Sequence, residues 1–163
     1  MSFFNGQYSP FEEWQWKYFT NSKGAELQEF IERYPNAEFY IGTDSQNYSK
    51  KGNRYCVFTT VLVAYTRRKG GNAIFCTERL GYADSLRQKL LTEAMRSLEV
   101  GWYLNDHIDA EQVVCIHLDV NPNLKFKSSR YKDELVGLVT AQGFNCEHKP
   151  HAWAATTIAD SKC

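Results

Sequence analysis

Four carboxylates stand where a folded protein would ordinarily place something apolar. Asp44 closes the β-prone run EFYIGTD at 38–44, and Asp119 closes QVVCIHLDV at 112–120. Asp160 sits among Ala154, Ala155, Ile158 and Ala159. Glu93 comes three residues after Leu90 and seven after Leu86, so on a helix it shares their core-facing stripe. A buried carboxylate is costly unless it is paired or bound to metal. Acids at the carboxyl ends of strands point into the crevice where α/β sheets take their ligands. Several converging there repel one another, and a hard divalent cation with oxygen ligands relieves the repulsion. Taken singly, each Asp is also explained as a turn former or a helix cap. The four together, in this order, point to a metal site.

Other polar groups fall near the same strand ends. Lys125, Lys127 and Arg130 cluster where the central strand hands over to a helix, with Ser128 and Ser129 at its start. That is an arrangement suited to phosphate, or equally a solvated basic turn. Asn121 and Asn123 in DVNPN are candidate substrate-orienting groups, and turn formation explains them as well. Lys149 beside Pro150 is a further substrate-binding candidate, as is Ser45 next to Asp44. His148 and His151 suit a proton shuttle at the rim of the site, whereas His117, two residues before Asp119 on one strand face, reads as a satisfied core group. Cys146, His148 and His151, with Cys163 beyond, could ligate zinc, but their spacing matches no common structural site.

The elements that must position these groups follow from periodicity and breakers. Phe11–Thr20 is aromatic and reads as helix, and Gly24–Arg33 as a second helix with Leu27, Phe30 and Ile31 on one face. Residues 45–53 read as a polar turn. Arg54–Tyr65 is the longest strand signal, followed by a glycine-containing turn at Thr66–Asn72 and a strand at Ala73–Leu80, a hairpin pattern. Ser85 and Gln88 have capping-box spacing ahead of a helix whose stripe is Leu86, Leu90, Leu91, Ala94, Met95 and Leu98. Gln112–Val120 is nearly continuous in apolar residues, as expected of a strand covered on both faces. A helix at Ser129–Ala141 stopped by Gly143, a short strand at Phe144–His148 and a helix at Trp153–Asp160 complete the order βββαβαβα. That order predicts an α/β fold. Its mixed sheet has three antiparallel strands followed by parallel ones, and helices cover both faces. No repeat or linker divides residues 1–163, so one domain is expected, with an N-terminal helical extension at 1–36 and a core at 37–163.

The 163 residues carry 19 basic and 19 acidic side chains, net charge zero, with 43% hydrophobic and 23% charged residues. This is the composition of a globular domain. Zero net charge counts mildly against a large polyanionic partner without excluding a local basic patch. No run approaches the roughly 20 apolar residues that span a bilayer, and Met1–Pro10 lacks the pattern of a secretory signal. Five scattered cysteines (Cys56, Cys76, Cys115, Cys146, Cys163), without CxxC pairing, argue against a disulfide framework and for a cytoplasmic location.

The segments IGTDSQ at 41–46, LRQKLLTEAMRSL at 86–98, HLDVNPN at 117–123 and KPHAWAATTIADSK at 149–162 resemble the ribonuclease H-like superfamily, and within it the bacterial YkuK family. The resemblance covers roughly Glu38 to the C-terminus. It implies that Asp44, Glu93, Asp119 and Asp160 are the catalytic carboxylates and the ligands of Mg²⁺ or Mn²⁺. It further implies two-metal hydrolysis of a phosphodiester in RNA, an RNA–DNA hybrid or structured DNA. Such sites hold their ions roughly 3.5–4 Å apart. In that scheme Asp44 bridges the ions, Asp160 serves the one that activates water, and Glu93 and Asp119 serve the one at the leaving oxygen. The chain lacks the substrate-binding insertion of the better-known ribonucleases H. The alternative implied is therefore a non-catalytic nucleic-acid-binding or regulatory module on the same fold.

Overall fold

The structure is a computed structural model describing residues 11–19 and 24–148. Seven strands form one sheet in the order β2-β1-β5-β4-β3-β6-β7. They are β1 (Trp16–Tyr18), β2 (Gly24–Ala25), β3 (Glu38–Lys50), β4 (Asn53–Thr66), β5 (Gly70–Gly81), β6 (Val114–Leu118) and β7 (Asn145–His148). Among the described residues three α-helices accompany it, α1 (Leu27–Arg33), α2 (Leu86–His107) and α3 (Lys132–Ala141). Strands β3, β4 and β5 are antiparallel, and β6 and β7 run parallel to β3. The expected mixed sheet is present, and its order of elements holds through β7. The helix expected at Trp153–Asp160 lies outside the described residues.

The long hairpin departs from expectation. Residues 45–53 are not a turn: β3 continues to Lys50, and the reversal takes two residues, Lys51 (φ 51°) and Gly52 (φ 80°), between the paired Lys50 and Asn53. Two consecutive left-handed residues match the right-handed twist of the flanking strands. Polar side chains hid this strand because its partner supplies the β-prone residues: Tyr55, Val57 and Phe58 pair with Tyr48, Gln46 and Ser45. Asp44 is consequently mid-strand rather than at a strand end.

The N-terminal segment also differs. The helix expected over Phe11–Thr20 is not formed in the described part, residues 11–19: Phe11–Glu13 form a single 3-10 turn and β1 pairs with β5, while Gly24–Ala25 add a strand and α1 begins only at Leu27. Aromatic residues there serve the sheet edge. Trp16 is buried, Phe11 packs on Trp14 and Tyr103 with ring centroids 5.0 and 5.2 Å apart, and Phe19 packs edge-on against Phe75. These aromatics build a packed edge of the sheet.

Alternation along β3 separates two faces. Phe39 and Ile41, with Leu62 and Ala64 of β4 and Ile116 of β6, meet Phe30 of α1, Leu98 and Leu104 of α2, and Leu135 and Val139 of α3 in one apolar core. The described helices thus share one face. On the other, Val61 and Val63 pack with Tyr40, Ala73 and Phe75. Helix α2 is set by its cap: Ser85 Oγ accepts from the Gln88 N–H at 3.1 Å, leaving Leu90, Ala94 and Leu98 buried as the stripe predicts. Further along, Gly101 permits close contact with Phe144, whose Cζ and Cε1 would lie 2.7 and 2.9 Å from a Cβ at that position. Gly101→Ala is expected to destabilise by about 1–3 kcal/mol despite the higher helix propensity of alanine. The urea midpoint should fall, and adding Phe144→Leu should recover most of the loss.

Candidate metal centre

The site forms where β6 stops and β3 does not. Their parallel pairing ends at Gly42 opposite His117; two residues further along each chain come Asp44 and Asp119. Glu93 approaches from α2, whose register against β3 is held by hydroxyls. Thr43 Oγ1 lies 2.8 Å from Ser97 Oγ and donates to Thr60 Oγ1 at 3.1 Å. The Ser45 hydroxyl donates to Glu93 Oε2 at 2.6 Å. Thr43 and Ser45 therefore face α2, and Asp44 has the opposite parity. β6 ends at Leu118, and one oxygen from each of Asp44, Glu93 and Asp119 lies within 4.8 Å of the other two.

Asp44 and Glu93 are 6% and 5% exposed and Asp119 is half-buried. Three carboxylates in so little space, two of them withdrawn from water, carry a repulsion that grows as the local dielectric falls. An all-oxygen anionic donor set fits a hard divalent cation such as Mg²⁺ or Mn²⁺ and suits a soft thiophile poorly. Among the described residues this is the group of His, Cys, Asp and Glu side chains close enough to share an ion. The fourth expected ligand, Asp160, lies outside the described residues, as do Lys149 and His151.

The remaining candidates divide. Ser45 is at the centre, where it orients Glu93. A lost partner of this kind typically lowers metal affinity about 10–100-fold. Ser45→Ala is expected to do so in calorimetric Mn²⁺ titration, with Ser45→Thr retaining more. Asn121 and Asn123 shape their own loop: Asn121 Oδ1 accepts from the Asn123 N–H at 2.9 Å, and Asn123 Oδ1 from the Lys125 N–H at 3.2 Å. Lys125, Lys127 and Arg130 are exposed, but they occupy this loop and a 3-10 turn at Lys127–Tyr131. The α-helix expected from Ser129 starts at Lys132, directly after this turn, with Tyr131 at its N-cap. His148 ends β7 in register with Leu118, one residue before Asp119. His117 is a core group: it is 2% exposed, its ring lies 5.2 Å from that of Tyr40, and burial pushes its pKa down to about 4. Burial likewise pushes the Cys115 thiol up to about 12 and Cys146 to about 11, which keeps both protonated at neutral pH.

Arg96, three residues after Glu93, was not singled out from the sequence. It is fully buried, ion-paired to Glu78 of β5 and to Glu99 at 3.2 Å, with its guanidinium 5.4 Å from the Trp14 ring centre. A basic residue interrupting an apolar helical stripe was the available signal.

A mixed sheet with an antiparallel hairpin, parallel strands on one side and a cluster of three carboxylates that could hold a metal ion defines the class of this α/β protein. A family model described as ribonuclease H-like matches residues 24–163, and the chain belongs to that family, known as YkuK. The match takes in every described element from β2 onward. Neither a curated protein nor a solved structure matches the chain. No described helix is long and apolar enough to cross a membrane.

Proposed function

We propose that the protein is a divalent-metal-dependent phosphodiester hydrolase acting on RNA, an RNA–DNA hybrid or structured DNA. The observation that carries this reading is the convergence of Asp44, Glu93 and Asp119, from two strands and a helix, to within 4.8 Å. Asp44 and Glu93, both buried, and Asp119, half-buried, would hold the ions, with Asp160 as the fourth ligand. Bound Mg²⁺ or Mn²⁺ would supply a lowered pKa for water and neutralise charge on the phosphoryl oxygens.

The chain's own residues contribute placement. Asp44 is fixed in the middle of a strand paired on its β4 side throughout, so its carboxylate has little freedom to retreat from its neighbours. Ser45 holds one oxygen of Glu93 and so fixes the orientation of that carboxylate. The hydroxyls of Thr43, Thr60 and Ser97 tie α2 to the sheet directly beneath. Rigid support of this kind is what a site needing sub-ångström placement demands. His148, at the end of the neighbouring parallel strand, is the described residue suited to proton transfer at the rim.

The test is a panel of labelled single-stranded, duplex and hybrid substrates incubated with purified protein in Mg²⁺ or Mn²⁺, beside Asp44→Asn. Cleavage by the wild type alone supports the hydrolase. Binding without cleavage of any substrate replaces it with the non-catalytic module, and cleavage undiminished in the variant assigns the activity to a contaminant.

A further inference from the structure

The face of the sheet that carries Asp44 does not end there. The outer half of the β3–β4 hairpin, missed as a strand by the sequence, extends it for six more residues. Following alternate positions from Asp44 gives Gln46, Tyr48 and Lys50 on β3. Through the strand register the same face carries Val57 and Tyr55 on β4 and Arg79 on β5. These side chains form a ladder. The rings of Tyr48 and Tyr55 stack with centroids 5.4 Å apart and planes 19° from parallel, and the Arg79 guanidinium lies 3.8 Å from the centre of the Tyr55 ring. Tyr48 and Tyr55 are half-buried, whereas Arg79 and Lys50 are exposed.

The charge of this region is unlike that of the whole. The chain has zero net charge, yet Lys50, Lys51, Arg54 and Arg79 crowd the hairpin end, and no carboxylate lies between Ser45 and Val57. The neighbouring acid on β5, Glu78, has the opposite parity from Arg79 and is tied to Arg96 under α2. Tyr48 stands four residues from Asp44, roughly 13 Å along the strand.

We propose that this ladder binds an unpaired nucleotide segment of the substrate, with bases against the Tyr48–Tyr55–Arg79 stack and phosphates near Lys50, Lys51 and Arg79, leading the strand to the carboxylates. This rests on the hydrolase reading for what happens at Asp44, though not for the binding itself. Stacked tyrosine rings beside a guanidinium can take a further, unpaired base of any identity into the stack, whereas a duplex keeps its bases stacked on one another. Exposed cations beside them supply the sequence-independent attraction to backbone phosphate. A helical duplex would meet the cations only. The substrate class that fits is therefore a single-stranded RNA or DNA end, or a junction with an unpaired arm.

Binding is read by fluorescence anisotropy in EDTA, so that cleavage plays no part, with single-stranded RNA, single-stranded DNA and a blunt duplex of one sequence. The wild type should prefer the single strands, and the RNA and DNA arms show whether the sugar is discriminated. Tyr48→Ala with Tyr55→Ala should weaken single-strand binding about 10–100-fold, since stacking contributes about 1–3 kcal/mol per base, and leave duplex binding within twofold. The Tyr→Phe pair should bind like the wild type, which separates stacking from loss of fold. Arg79→Gln should flatten the salt dependence by about 0.7 in the log–log slope, one phosphate contact. Unchanged single-strand affinity in the folded Ala pair, or a duplex preference in the wild type, overturns the proposal. Cleavage without ladder-dependent binding sinks the ladder and spares the hydrolase; ladder-dependent binding without cleavage does the reverse.

Discussion

Replacing Asp44 by asparagine is expected to reduce phosphodiester cleavage by at least about 10³-fold, some 4 kcal/mol of transition-state stabilisation. The size follows from its place. Asp44 is 6% exposed, within 4.8 Å of carboxylate oxygens of both Glu93 and Asp119, and set in a strand that cannot shift without moving the β3–β4 hairpin. Asparagine preserves shape and one acceptor oxygen but removes the charge that the proposed cation requires. The same substitution should have an opposite effect on the metal-free fold. Relief of repulsion among buried carboxylates is expected to raise stability in EDTA by about 1 kcal/mol, or a Tm increase of about 2–4 °C. Added Mg²⁺ or Mn²⁺ should then raise the wild-type Tm, because an ion bound to the native state stabilises by mass action, and move the variant little. A variant that loses activity while its metal-dependent Tm shift matches the wild type would remove Asp44 from the ligand set.

Arg96→Met is expected to be the most destabilising single change near the site. Arg96 is 0% exposed and lies between Glu78 and Glu99, which are 11% and 12% exposed. Burial lowers its pKa and the Glu78 carboxylate opposes that shift, so the charge persists inside because it is paired. Removing the cation strands two nearly buried acids, and breaking a buried pair in this way costs about 3–5 kcal/mol. For a chain of this size that corresponds to a Tm loss of roughly 10 °C. Removing all three charges should cost far less, since an apolar or neutral replacement of a whole buried pair is often close to neutral. Arg96→Met with Glu78→Gln and Glu99→Gln should recover most of the melting temperature. Failure of the triple variant to recover would mean that Arg96 contributes by packing against Trp14 rather than by charge.

Much of the fold was readable along the chain because its signals are local. Ser85 three residues before Gln88 marks the start of α2, and the stripe from Leu86 to Leu98 marks its buried side. The apolar run ending at Asp119 marks β6, and the order of elements follows from these. Residue type alone singled out Asp44, Glu93 and Asp119, since an acid in an apolar context is costly whatever surrounds it. Tertiary structure decided what depends on a partner distant in sequence. The stretch from Ser45 to Lys50 is polar, and only pairing with β4 makes it a strand; only that strand stacks Tyr48 on Tyr55 and aligns both with Asp44. Trp16–Tyr18 looks helical until β5 offers an edge. The convergence of Asp44 from β3, Glu93 from α2 and Asp119 just past β6 leaves no mark on any single segment. Periodicity reports which side of an element is buried; which element buries it is settled by pairings between residues far apart in the chain.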